Sequence, residues 1–167
     1  MFNIGELIIY SGHGICKIDE ICENTISGIT KKYYVLHPLE SAELKISTPV
    51  DNDKVKMLEI IHKDEAEEIL ESFKQTGVTW VELTSHREQL YSEIVKEGNR
   101  REIAKVVNTL LRKKLKTEAK GKKLYEQDRR LLEFIQRILF SELAMSLNTT
   151  YKEIYDKIIV NITISQQ

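Results

Sequence analysis

Proline is nearly missing from this 167-residue chain: Pro38 and Pro49 are the only two. Nothing after residue 49 therefore carries the residue most apt to interrupt a helix. Cysteine is equally scarce. Cys16 and Cys22 stand six apart without a CxxC pair, and His13, His37, His62 and His86 are scattered. That spacing argues against a disulfide framework or a zinc site and leaves two reduced thiols. Strand alternation counted from Cys16 puts Cys22 on the same face. No apolar run is long enough to span a bilayer, and the first residues, MFNIGELIIY, lack the pattern of a signal peptide. Also missing are a P-loop, a GxGxxG, a nucleophile elbow and an HExxH. No catalytic residue, metal ligand or cofactor site is expected. His13, between two glycines, reads as a turn histidine that hydrogen-bonds backbone.

Arginine is absent from the first 80 residues, which carry 8 lysines against 14 acidic residues, a net −6. Residues 81–167 carry 17 basic against 12 acidic residues, a net +5. The near-neutral whole hides two halves of opposite sign, and the basic half is suited to a polyanion.

What is present divides at about residue 62. Before it lie short β-rich runs: 6–10 (ELIIY), 15–21 (ICKIDEI), 31–36 (KKYYVL), 44–48 (LKIST, stopping at Pro49) and 55–61. Turns fall at Ser11–Gly14 and Asn24–Gly28. Five short strands in so few residues are best served by closing into a small barrel.

From Lys63 the period becomes helical. Ala66, Ile69, Leu70 and Phe73 share one face of a first helix, which Gly77 ends. A second helix starts near Thr79 or Thr84 and runs to Gly98, with Leu83, Leu90, Tyr91 and Ile94 facing inward. Asn99 with Glu102 has the spacing of a capping box and opens a third helix. A basic loop is expected over residues 112–123, RKKLKTEAKGKK, before a fourth helix at about Glu126–Leu147. Thr150 with Glu153 opens a fifth helix, and the tail NITISQQ is expected to fray.

Chemistry is concentrated between Trp80 and Met145, which holds every arginine and the one tryptophan. The candidate DNA-binding residues are Arg87, Arg100, Arg101, Lys113, Lys114, Lys122, Lys123, Arg129, Arg130 and Arg137, with Trp80. Clustered cations on neighbouring helices contact phosphates; otherwise they coat a solvated surface. Trp80 is either core or a wedge against a base step.

FNIGELIIYSGHGICKIDEI resembles the opening of the CarD/CdnL-like transcription regulators. YYVL and LKISTPVDN resemble the next two strands of that family. Trp80, REIAKVVNTLLRKK and KLYEQDRRLLEFIQRILFSELAMSL follow in family order, so the resemblance covers nearly the whole chain. It implies an α+β protein of two domains: a Tudor/SH3-like five-stranded β-barrel over residues 1–62, and an all-α helical domain of about five helices over 63–167. The barrel would bind the RNA polymerase β subunit, as the related domain of the transcription–repair coupling factor does. Asn24, Ile26, Glu43, Lys45, Ile46 and Ser47 are the expected contacts, through an exposed strand edge at Glu43–Thr48. The helical domain would bind promoter double-stranded DNA at the upstream edge of the bubble, with Trp80 slowing its collapse. The chain would act as a cytoplasmic, nucleoid-associated monomer. The competing reading is an adaptor on polymerase that never touches DNA.

Overall fold

The computed structural model of the protein describes residues 1–166. It divides into two compact units, Met1–Ile60 and a second beginning at Ile61. The first is a five-stranded antiparallel sheet: β1 (Leu7–Tyr10), β2 (Gly14–Ile26), β3 (Ile29–Pro38), β4 (Ile46–Pro49) and β5 (Met57–Glu59), in the order β4-β3-β2-β1-β5. Its core is Ile8, Tyr10, Cys16, Ile18, Tyr34 and Leu36. Phe2, Ile46, Val50, Val55 and Met57 pack on the same core, so residues near both edges of the sheet meet there. The ladder stays open at β4 and β5, and the closure expected of a barrel is carried by side chains.

Strand β2 runs five residues past the expected end at Ile21, because the turn is shorter than Asn24–Gly28. Only Ser27 and Gly28 lie between the paired Ile26 and Ile29. Both have positive φ, 52° and 79°, the hand of a two-residue turn that matches strand twist. A bulge between Ile18 and Glu20 corrects the expected facing of the cysteines. The extra residue reverses the alternation, so Ile21 joins the core side with Tyr34 while Cys16 alone of the two thiols is buried. Burial pushes the Cys16 thiol up to about 11, which keeps it protonated and inert.

The second unit holds α1 (Lys63–Ser72), α2 (Thr84–Glu97), α3 (Arg100–Ala119), α4 (Glu126–Ser146) and α5 (Tyr151–Ile164). Asn99 caps α3 by accepting from the amides of Arg101 and Glu102, and Thr150 caps α5 by accepting from Glu153. Gly98 ends α2 in the left-handed region, at φ 75°. The apolar stripes converge on one core that includes Phe73, Tyr91, Leu110, Leu111, Leu132, Phe140, Leu143, Ile154 and Ile158.

Four expectations about this unit are corrected. Residues 112–119 are helix, not loop, since lysine, leucine, alanine and glutamate are all good helix formers. The tail through Ile164 is helix, not frayed: Ile162 is buried, and the Asn161 side chain donates to the Leu70 carbonyl at 2.8 Å. Leu83 and Leu90 are exposed, at 67% and 37%, rather than inward. Gly77 does not end α1, which closes at Phe73. It is instead where the chain crosses α3: a Cβ there would fall within 3.0 Å of the Lys105 carbonyl and of Thr109.

Glu142 of α4 is buried and ties this unit's first residue to its core. It accepts from the Ile61 amide at 3.0 Å and from Arg100 at 3.0 and 3.3 Å, while Ser146 donates to the Ile61 carbonyl. Burial, the largest influence, raises its pKa above the ordinary 4.5 despite the Arg100 charge. A carboxyl with a raised folded pKa binds more protons folded than unfolded. Its contribution is therefore full below about 4.5 and is lost as pH rises through the raised value. Across that window the melting temperature of Glu142→Gln should fall less steeply with pH than that of the parent. Parallel curves would show that Glu142 is not the titrating group.

Candidate nucleic-acid interface

The charge asymmetry of the sequence keeps its sign but shrinks when counted at the division of the fold. Residues 1–60 hold 6 lysines and 9 acids, and residues 61–167 hold 19 basic and 17 acidic residues. The reason is α1, whose Asp64, Glu65, Glu67, Glu68 and Glu71 sit in the helical unit. What matters for a polyanion is then which cations are unpaired.

Many of the expected DNA contacts are engaged. Arg87 is 3% exposed and is held by Asp128, with Nε donating to Oδ1 at 2.9 Å and Nη2 to Oδ2 at 2.7 Å. The pairing raises its pKa further. Arg87 is thus an interior cation and is corrected as a surface phosphate contact. Arg100 is mostly buried on Glu142. Arg101 pairs with Glu65 and Glu68, Lys114 with Glu118, Arg129 with Glu126 and Glu133, and Arg130 with Glu126. These last pairs are exposed and screened by solvent, so a phosphate can displace them. Arg137 is half-buried on α4. Arg112, another cation of the basic run, is spent on structure: it donates to the carbonyls of Phe73 and Gln75 beyond α1, and burial lowers its pKa.

A second set differs. Lys113, Lys116 and Lys120 recur at i, i+3 and i+7 along α3 and its C-cap, a spacing that aligns them on one face over about 10 Å. Lys122 and Lys123 lie in the exposed turn before α4, with Tyr125 58% exposed beside them. None of these five lysines has a carboxylate partner among the described residues. Lys116 and Lys120 lie outside the set of contacts expected from the sequence, and Lys116 is the one within the helix itself. Carrying helical spacing past residue 112 would have found it, because lysine favours helix.

Trp80 stands at the head of this stripe. The Lys113 ammonium lies 4.7 Å from the ring centroid and the Arg87 guanidinium 4.1 Å from it. The indole is half-buried, packed on the edge of the helical core. It is neither a fully covered core residue nor a free wedge. Its loop is fastened on both sides: Thr109 donates to the Val78 carbonyl at 2.7 Å, Tyr91 to Thr79 at 2.9 Å, and Arg87 to Val81 at 2.6 Å and Glu82 at 3.2 Å.

In the sheet unit, Ser47 lies on β4, which pairs only with β3, and exposed Glu43 and Lys45 precede it. Ile46 is half-buried on the core. Asn24 and Ile26 lie far along β2 near the hairpin tip, where Ile26 and its partner Ile29 are each 62% exposed. The candidate polymerase contacts therefore form two groups, an open edge and an apolar hairpin tip.

These features define a two-part binding protein: a sheet with an open edge, and a helical unit with a tryptophan at the end of a lysine stripe. The CarD-like/TRCF RID domain matches residues 2–61, and the CarD, C-terminal domain matches residues 61–159. The chain belongs to the CarD family of transcription regulators, which are not enzymes. Among the described residues no helix is long and apolar enough to cross a membrane.

Proposed function

We propose that the chain binds the RNA polymerase β subunit through its sheet unit and promoter DNA through its helical unit, and so prolongs the open complex. The match to a domain type whose description points to RNA polymerase supports the first half. The open edge at β4 suits strand addition, with Glu43, Lys45, Ile46 and Ser47 along it and Asn24 and Ile26 at the hairpin tip as a second contact. The observation that carries the second half is Trp80 at the head of Lys113, Lys116 and Lys120. A row of cations follows the phosphate backbone without reading sequence, while an indole stacks on any unpaired base. The upstream edge of the bubble offers duplex phosphates and unstacked bases side by side. Lys114, Lys122, Lys123, Arg101, Arg129, Arg130 and Arg137 are the further candidate phosphate contacts of this unit. The chain works in the cytoplasm at the nucleoid, as a monomer.

The test is salt-dependent DNA binding by the variant Lys113→Ala with Lys116→Ala and Lys120→Ala. Losing three phosphate contacts lowers the slope of log K against log salt by about 2.7. Affinity should fall alike on all sequences, with stability within about 0.5 kcal/mol of the parent. An unchanged slope, with polymerase still bound, would favour an adaptor that does not touch DNA.

A further inference from the structure

An indole on a loop can turn about two side-chain torsions, and a binding partner must then immobilise it. Trp80 is spared that by a neighbour on α2. Four hydrogen bonds fix the Arg87 guanidinium: two to Asp128 of α4, one each to the carbonyls of Val81 and Glu82. Those bonds use its edges, and its flat face is what remains for the indole 4.1 Å away. The cation therefore cannot swing off the ring, whereas Lys113, on a flexible stem, can leave it for a phosphate. The carbonyls it holds directly follow Trp80 in sequence, so one group fixes both the ring and the backbone after it.

Holding α2 to α4 does not by itself call for such a pair. Apolar residues of similar volume commonly replace a buried ion pair without loss of stability. What apolar residues do not reproduce is a charged plate of fixed orientation against an aromatic face. We infer that Arg87, anchored by Asp128, is the positioning residue of Trp80, presenting the half-buried indole in one pose before DNA arrives. The consequence for DNA rests on the reading above; the positioning does not.

Trp80 is the one tryptophan, so intrinsic fluorescence reports it alone. The experiment compares the full-length parent, Trp80→Ala, and the double variant Arg87→Met with Asp128→Leu. The double variant should melt near the parent, yet its emission should shift to the red and be quenched more readily by acrylamide. Its open-complex lifetime should shorten roughly two- to tenfold, the cost of immobilising one free side chain on binding. Emission and quenching like the parent's overturn the inference. If the double variant does not fold, Arg87→Lys serves: it keeps the charge but not the plate, and the same red shift is expected. Parental emission there likewise overturns the inference. A parental lifetime in the double variant beside a shortened one in Trp80→Ala also overturns it and leaves the DNA reading standing. An unchanged lifetime in Trp80→Ala instead removes the DNA reading, and the fluorescence still decides the positioning.

Discussion

Truncating Trp80 to alanine should shorten the lifetime of open promoter complexes by about tenfold, because about 1.4 kcal/mol is one decade in rate. Stacking of an aromatic ring on an unpaired base contributes roughly 1–3 kcal/mol. That contact exists only once bases are unstacked, so it slows collapse of the bubble more than it aids first binding. The variant also loses packing. A fully buried tryptophan cut to alanine costs about 3–5 kcal/mol, and a half-buried one should cost less, about 1–3 kcal/mol. Lifetime and thermal melting must therefore be measured on the same preparations. Trp80→Phe separates the two effects, since phenylalanine keeps an aromatic face to stack. A lifetime unchanged by Trp80→Ala, with polymerase still bound, would deny the indole a part in the open complex.

Asp128→Ala should be the most destabilising single change near the interface, at about 3–5 kcal/mol, because it strands a buried cation without its partner. Arg87 is 3% exposed, and its other hydrogen bonds among the described residues go to the carbonyls of Val81 and Glu82. Urea unfolding should show the loss as a lower midpoint with an unchanged slope. Arg130→Ala, which breaks an exposed pair on the first turns of the same helix, should stay within about 0.5 kcal/mol. A loss for Asp128→Ala as small as that for Arg130→Ala would mean that water reaches the guanidinium and that the pair is a surface feature.

Much of the fold is readable from local chemistry. The apolar stripe of Ala66, Ile69, Leu70 and Phe73 locates the buried face of α1, because a periodic face must be buried somewhere. The caps at Asn99 and Thr150 follow from side chains that bond the first turn's amides. A single local signal misleads at two places. The charge of the run 112–119 points to loop, although its residues favour helix; the left-handed turn at Gly121 (φ 71°) comes only after the helix has ended. Gly77 has the look of a helix stop, but its lack of a side chain serves the crossing of α3.

The candidate interface was legible as a region but not as a surface. Counting cations located the basic segment, yet a count does not separate Arg87, held inside on Asp128 forty-one positions away, from Lys116, which has no carboxylate partner among the described residues. Sequence alone determined the two-part architecture, the helix faces, the caps and the family pattern, since all depend on neighbours within a few residues or on the order of motifs. Tertiary structure alone decided the open ladder, the phase reversal at the β2 bulge, the burial of Arg87 on Asp128 and the half-buried pose of Trp80. Each of these depends on which distant residue satisfies a charge, a hydrogen bond or a space, and spacing along the chain does not encode that choice.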